Sequence, residues 1–255
     1  MMRMRFPEGV RIAEGRWTII ERLRGEPDRG MYRAVGDGSV LVTMSAPQRR
    51  PNRELRARFG YAVAGIAPML GIPAVELGGE DYDALIEREP AGEPVTRRRP
   101  ADPRAVGREL TAIVARAHAA GHLLGGIRPE LVYSDGAGCT GIAPRAEPFL
   151  AGASERCYGV APCFEQVYLS PEALALRPVT AASDVFSLCA TLAYLRDGEP
   201  PFAGANLVER IAAVMRGAYC GAGLPAVVRA GLAVEPEQRP CAAELLEALA
   251  ATAAQ

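Results

Sequence analysis

The chain has 255 residues, of which 49% are hydrophobic and 23% are charged, and its formal net charge at pH 7 is −1. This length and composition predict a globular protein with one large domain or two small lobes. A chain so close to neutral has no bulk electrostatic field, which argues against a nucleic-acid partner or recruitment to an anionic membrane.

The sequence lacks the apolar segments that would direct it into or across a membrane. No apolar run is long enough to cross a bilayer, and residues 1–16 lack the apolar stretch of a secretory signal peptide. We therefore expect a cytoplasmic protein with no membrane span.

The basic residues, cysteines and histidines limit the chemistry that the chain can perform. All 29 basic residues are arginine, so no lysine is available to hold a phosphate group. The six cysteines form no C-x-x-C pair, and we expect free thiols. His118 and His122 are four residues apart, but no third metal ligand accompanies them. The sequence predicts no metal ion and no other cofactor.

The first part of the chain is rich in strand signals. In chain order, these signals occupy residues 17–23, 31–35, 40–44, 74–77 and 83–87. Residues 36–38 read G-D-G and predict a tight turn between the second and third of these runs. Residues 51–70 have apolar side chains at spacings of three and four, which predicts a helix.

The second part of the chain is mainly helical. It follows residues 89–103, which are rich in proline, arginine and glycine and resemble a linker. Asp102 before Pro103 is typical of a helix N-cap, and an apolar stripe marks residues 104–120 as a helix. A loop-rich stretch over residues 121–171 comes next. Further helices are predicted at residues 183–196, 207–216, 224–233 and 242–251.

Four motifs in the second part occur in one characteristic order. They read Y-L-S-P-E at residues 168–172, S-D-V-F-S-L at 183–188, G-E-P-P-F at 198–202 and E-P-E-Q-R-P at 235–240. Together they resemble the bacterial serine/threonine protein kinases, and residues 121–131 are similar to the catalytic loop of that family. The resemblance implies an α+β, two-lobed kinase-like fold. Residues 1–90 would form an N-lobe with a five-stranded sheet and the αC helix, and residues 91–255 a helical C-lobe.

The resemblance also assigns the catalytic positions of the C-lobe. The aspartate that acts as catalytic base aligns with Gly126, and the metal-binding asparagine aligns with Leu131. The aspartate of the D-F-G motif aligns with Pro144. None of these three residues has the side chain that the family uses, although a general base alone contributes a factor of about 10²–10⁴ to a rate.

The N-lobe departs from the family in the same way. The phosphate-binding lysine aligns with Thr43 or Met44, and the αC glutamate that would pair with it aligns with Ala62. The glycine-rich loop corresponds to residues 24–30, where Pro27 has no N–H and two acidic residues would repel an anion. We expect this loop not to cradle a triphosphate.

Three other family positions are matched. In the family, a glutamate and an arginine at the positions of Glu172 and Arg239 form an ion pair in the large lobe. An aspartate at the position of Asp184 accepts hydrogen bonds from the backbone of the catalytic loop. The resemblance therefore implies that these three residues have a structural role.

From this pattern we expect a pseudokinase: a chain that is not an enzyme, binds neither ATP nor Mg²⁺, and acts as a protein-binding, scaffolding or allosteric module. Its partner would be another protein, such as a signalling kinase or a phosphoprotein. Two alternatives stay open. The first alternative is an atypical transferase, and the second is a small-molecule sensor; either would use the cleft between the lobes.

Overall fold

The computed structural model of the chain describes residues 6–26, 29–45, 63–77, 79–143, 149–150, 164–175, 177–221 and 223–252. The chain divides into two compact units. The first unit contains residues 1–62 and 67–89, and the second contains residues 63–66 and 90–255. The lobe boundary that we expect between residues 90 and 91 lies one residue from this division.

The first unit contains an antiparallel sheet. Among the described residues its strands are β1 (Arg11–Ile12), β2 (Trp17–Glu26), β3 (Arg29–Gly36), β4 (Gly38–Ser45), β5 (Met69–Gly71), β6 (Ala74–Leu77) and β7 (Glu80–Arg88). Their order in the sheet is β1-β2-β3-β4-β7-β5, and β6 also pairs with β7. Strand β4 is central, since β3 and β7 pair with it on either side.

The described part of the sheet has seven strands, whereas the sequence led us to expect five. The five expected strands correspond to β2, β3, β4, β6 and β7. Strand β1 has two residues, which is too short to show an alternating pattern. Strand β5 lies in a stretch that we assigned to a helix.

The helix predicted over residues 51–70 is too long. Residues 51–62 lie outside the described part of the chain, and residues 63–68 form a turn and a single β-bridge before β5 begins at Met69. Gly65 has a φ of +93°, and Pro68 has no N–H for a helical hydrogen bond. These two residues are incompatible with a helix that continues to residue 70.

Three aromatic rings form one end of the core of the first unit. The ring of Phe6 packs edge-on against Tyr32 and Tyr82, with centroid distances of 5.7 and 5.0 Å. The backbone N–H of Phe6 donates a hydrogen bond to the buried hydroxyl of Tyr32, at 3.1 Å. These contacts fix the N-terminal segment on the sheet.

The second unit is mainly helical. Its described helices are α1 (Pro103–Ala119), α2 (Pro171–Leu174), α3 (Ala181–Asp197), α4 (Leu207–Met215), α5 (Ala226–Gly231) and α6 (Ala242–Thr252). These helices confirm the prediction of a helical second part, and the strand-then-helix order confirms an α+β class. No helix in the described part of the chain is long and apolar enough to span a membrane.

Helices α1 and α3 form the centre of this unit. The side chain of Asp102 accepts hydrogen bonds from the N–H groups of Arg104 and Ala105, which confirms the predicted N-cap of α1. Helix α3 begins with a capping box between Thr180 and Ser183 and is buried along most of its length. Helix α1 packs against both α3 and α6.

The loop-rich stretch contains short strands and 3-10 turns. Strands β10 (Val132–Ser134) and β11 (Cys139–Ile142) pair with each other, and β8 (Glu93–Pro94) pairs with β10. Strand β9 (His122–Leu123) pairs with β12 (Phe149–Leu150). A 3-10 helix over Pro129–Leu131 joins β9 to β10.

The substitution Tyr32→Phe should lower the free energy of unfolding by about 1–3 kcal/mol, because it leaves the buried N–H of Phe6 without its acceptor. Urea unfolding of the purified chain measures this change. Tyr82→Phe is the matched control, since the Tyr82 hydroxyl donates to the exposed side chain of Glu80. An equal loss of stability in the two variants would contradict the role of the Tyr32 hydroxyl.

Candidate functional site

The loop over residues 121–131 is held in place by one buried carboxylate. Asp184, near the start of α3, accepts hydrogen bonds from the N–H groups of Leu124 (2.6 Å) and Gly125 (2.8 Å). Its Oδ2 also lies 3.1 Å from Nε2 of His118. The Asp184 side chain is 2% exposed. The contact from α3 therefore fixes the loop backbone at Leu124 and Gly125.

Gly126 has a backbone conformation that side-chain-bearing residues disfavour. Its φ is +104°, in the left-handed region that glycine adopts without strain. A Cβ atom at this position would lie 2.8 Å from Cδ2 of Leu169. The position that aligns with the catalytic base thus has no carboxylate, and a side chain there would have to displace a methyl group of Leu169.

Arg128 is a charged residue of the loop over residues 121–131, and it is buried. It is 6% exposed, and its Nη1 lies 3.3 Å from the carbonyl oxygen of Gly126. The neighbouring carbonyl of Ile127 accepts a hydrogen bond from the hydroxyl of Thr191 in α3. A guanidinium group in this position could bind a phosphate oxygen.

Leu131 and the following strands form an apolar part of the site. Leu131 is 1% exposed, and its carbonyl accepts a hydrogen bond from the N–H of Ala143 at 2.9 Å. Its side chain has no atom that binds a metal ion. Strand β11 ends at Ile142, and Pro144 lies just beyond it, outside the described residues.

The sheet of the first unit places Thr43 among apolar residues. In the strand register Thr43 lies between Met31 of β3 and Leu85 of β7, and it is 2% exposed. Met44 belongs to the hydrophobic core, so it faces the other side of the sheet. Ala62 and Pro27 lie outside the described residues.

Sequence reasoning missed two buried acidic residues in β7. Asp83 and Glu87 are each 1% exposed, and they share the face of the sheet that carries Thr43 and Leu85. We expected a strand over residues 83–87, which contains both acids. The alternation of residues 83, 85 and 87 in a strand would have placed these acids on one face.

Glu172 and Arg239 form a buried, bidentate ion pair. Nη1 and Nη2 of Arg239 lie 2.7 and 2.9 Å from Oε1 and Oε2 of Glu172, and the arginine side chain is 0% exposed. The remaining N–H groups of Arg239 donate to three carbonyl oxygens, those of Ala182, Ala233 and Val234. All five donors of the guanidinium group are therefore used.

The pKa of Glu172 reflects this pairing. Burial alone would raise the pKa of the carboxyl group, but hydrogen bonds from Arg239 and from the hydroxyl of Ser183 outweigh it. The pKa therefore lies below its ordinary value of 4.5. Glu172 remains ionised in the folded protein at neutral pH.

The two described cysteines with shifted pKa values are unsuited to nucleophilic catalysis. Burial raises the pKa of the Cys139 and Cys189 thiols to about 12. Since the thiolate is the reactive form, both groups are unreactive at neutral pH. No group of three His, Cys, Asp or Glu side chains within the described residues is placed to hold a metal ion.

The substitution Glu172→Gln should lower the free energy of unfolding at neutral pH by about 3 kcal/mol, because the buried guanidinium of Arg239 loses its counter-charge. The pKa of Glu172 is lower in the folded chain than in the unfolded one. Its stabilisation is therefore present above the ordinary pKa of 4.5 and is lost as the pH falls through the folded pKa.

The difference in stability between parent and variant should consequently shrink below pH 4.5. Urea unfolding between pH 7 and about pH 3 measures it. Glu247→Gln, at an exposed position of α6, is the matched control and should differ little from the parent at any pH. A Glu172→Gln difference that stays constant down to the lowest pH would argue against this ion pair.

Known proteins resemble the chain over part of its length. No protein-family profile matches it. Over 88 residues, 32% of the chain, it is 41% identical to the serine/threonine-protein kinase AfsK of Streptomyces coelicolor. It is also 36% identical, over 31% of its length, to the calcium and calcium/calmodulin-dependent serine/threonine-protein kinase DMI-3 of Medicago truncatula. The chain spans 11% of AfsK and 17% of DMI-3.

The fold has a counterpart among solved structures. The crystal structure of Rad53 1–466 in complex with AMP-PNP superimposes with a TM-score of 0.66 and 16% sequence identity. The match covers 91% of this chain and 64% of Rad53 1–466. At this identity the likeness shows the fold alone, and it confirms the predicted kinase-like fold with a β-rich first part and a helical second part.

The relatives correct one prediction. We expected that the chain is not an enzyme, and this is contradicted because the matched relatives are named serine/threonine-protein kinases. Gly126 and Thr43 lack the family's side chains, but phosphoryl transfer depends mainly on positioning and charge stabilisation, which other groups can supply. The chain therefore has a kinase-like fold and is homologous, over 32% of its length, to serine/threonine protein kinases.

Proposed function

We propose that the chain is a signalling domain of kinase-like fold that acts by binding another protein through helix α4. The binding surface on α4 lies in the helical lobe that we assign to residues 91–255. The observation that supports this proposal is an exposed apolar stripe on α4, which we call the α4 face: Val208, Ile211, Ala212 and Met215.

The α4 face exposes large apolar side chains on one side of one helix. Val208 is 76% exposed and Met215 is 41% exposed, while Ile211 and Ala212 between them are half-buried. These residues are spaced three, four and seven positions apart and therefore lie on the same side of the helix. Burial of Val208 and Met215 by a partner would stabilise a complex by about 1.5–3 kcal/mol each.

The start of α4 is fixed by its own hydrogen bonds. The side chain of Asn206 accepts from the N–H of Glu209, and the Glu209 carboxylate accepts from the N–H of Ala205. The Nε of Arg210 donates to the carbonyl of Gly204. On the opposite side of the helix, Ala213 and Val214 are buried. A helix fixed in this way presents its outer face to a partner with little loss of conformational entropy.

The partner that this surface fits is a protein with a complementary apolar patch. Glu209 and Arg216, both exposed, lie seven positions apart along one edge of the stripe, so this edge is polar while the centre is apolar. Protein interfaces commonly have this arrangement. We propose that the partner belongs to serine/threonine kinase signalling, as a kinase or a phosphoprotein.

The double variant Val208→Asp and Met215→Asp should weaken partner binding by about 100-fold or more, since it removes two apolar contacts and adds charges to the interface. The partner is first captured by crosslinking in the source cells, and its affinity is then measured by calorimetry with purified proteins. Val35→Asp is the matched control, because Val35 is 40% exposed but lies in β3. A partner that binds the parent chain and the double variant equally well would refute this surface.

Phosphoryl transfer is a second candidate function, favoured by the named activity of the relatives and by Arg128. The loop that resembles the catalytic loop keeps a basic residue at this position, and its guanidinium is buried beside Gly126. A buried guanidinium can stabilise charge that develops on a transferred phosphoryl group. In this chain, which has no lysine, arginine would have to perform that role.

For this candidate, the parent chain should label itself or casein with radioactive phosphate from ATP in the presence of Mg²⁺. Arg128→Ala should then lower the rate by about 100-fold or more, while Arg128→Lys should keep more activity. Arg177→Ala, at an exposed position of the same unit, is the control. Labelling that is unaffected by Arg128→Ala would exclude this residue from the reaction.

A further inference from the structure

The second unit contains a cavity that neither proposed function uses. It has a volume of ≈ 550 Å³ and lies between the start of α1, the end of α3, the segment that leads into α5, and the end of α6. We call it the α1–α6 groove. This volume falls in the range of small-molecule sites, about 300–1,000 Å³. The groove shares no residue with the α4 face.

The floor of the α1–α6 groove is aliphatic. Leu224 and Val228 are 4% and 2% exposed, and Leu192 and Leu249 are half-buried at its sides. The described residues that line it include no aromatic side chain, so they offer no stacking surface for a base or another flat ring. The body of a ligand that fits this floor is an aliphatic chain.

Three arginines lie at the rim of the same groove. Arg104 and Arg108 are four residues apart on α1, so they lie on one side of that helix. Arg196 comes from α3, and its Nη2 lies 2.8 Å from the position that a Cβ of Gly223 would occupy. Its Nε pairs with Asp197 at 2.9 Å.

Arg196 is paired with Asp197, so the charges at this rim that lack a partner among the described residues are those of Arg104 and Arg108. Asp102 is the one acidic residue among the described residues that line the groove, and its carboxylate already accepts hydrogen bonds from two N–H groups as the N-cap of α1. Within the described residues, neither Arg104 nor Arg108 forms an ion pair. Two like charges four residues apart on a helix repel each other. An anion between them would relieve that repulsion.

We propose that the α1–α6 groove binds an aliphatic carboxylic acid, with its chain on the leucine and valine floor and its carboxylate at Arg104 and Arg108. The charge of the rim matches the carboxylate, and the apolar floor matches the chain. Arginine binds carboxylates through two parallel hydrogen bonds, which gives the head group a defined position.

Calorimetry with sodium decanoate and the purified full chain tests this proposal. Decanoate should bind one molecule per chain and raise the midpoint of thermal unfolding, whereas butyrate, which lacks a long chain, should not. Decan-1-ol has the same chain without the charge and should bind at least about tenfold more weakly.

Two variants separate the head-group contact from the chain contact. The double variant Arg104→Gln and Arg108→Gln should weaken decanoate binding by about tenfold or more and leave decan-1-ol binding unchanged. Leu249→Trp should fill the groove and weaken the binding of both. Arg229→Gln is the matched control, because Arg229 lies on α5 but does not line the groove.

Three results would overturn the proposal: no decanoate binding, equal affinity for decanoate and decan-1-ol, or an equal effect of the Arg229 variant and the double arginine variant. Circular dichroism and thermal unfolding without ligand establish that each variant is folded. The outcome is independent of the α4 proposal, since the α4 double variant should bind decanoate with the affinity of the parent chain.

Discussion

The buried guanidinium of Arg239 is the contact on which the helical unit depends. It joins Glu172 at the start of α2 to the carbonyl of Ala182 in α3 and to the two carbonyls that follow α5. A charge that is removed from water is tolerated only when it is paired and its donors are satisfied. These three segments must therefore adopt one relative arrangement. The guanidinium also lies over the ring of Phe186, which stacks on Phe202.

A second buried charge, Asp184, determines the shape of the loop that precedes β10. It binds backbone N–H groups, so it constrains the path of the loop without depending on the loop's side chains. The loop can therefore keep an ordered geometry with Gly126 and Leu131 at the positions where we expect the catalytic base and a metal ligand to be replaced. It also leaves Arg128 in a defined place, held beside the carbonyl of Gly126.

The sequence predicted the helical unit better than the first unit. The apolar stripe of α1 and the cap at Asp102 are local signals, and both were read correctly. The start of β5 was missed because Val63 and Ile66 continue a helical spacing, although Gly65 and the proline at 68 interrupt the backbone. Alternation along β7 places Asp83 and Glu87 on one face of the sheet, but the burial of that face depends on long-range packing that no local pattern reveals. The α1–α6 groove depends on the packing of four helical segments and has no signature in the sequence.

The long sequence separation of the two buried charges has a consequence for synthesis on the ribosome. The N–H of Leu124 and the carboxylate of Asp184 are 60 residues apart, and Glu172 and Arg239 are 67 residues apart. At a synthesis rate of about 5–20 residues per second, several seconds pass between the synthesis of the first group of each pair and the synthesis of its partner. Glu172 can pair with Arg239 only after helices α2 to α5 have been translated. A chain that stalls before residue 239 would therefore carry an unpaired acid and an open helical unit, a state that chaperones and proteases recognise.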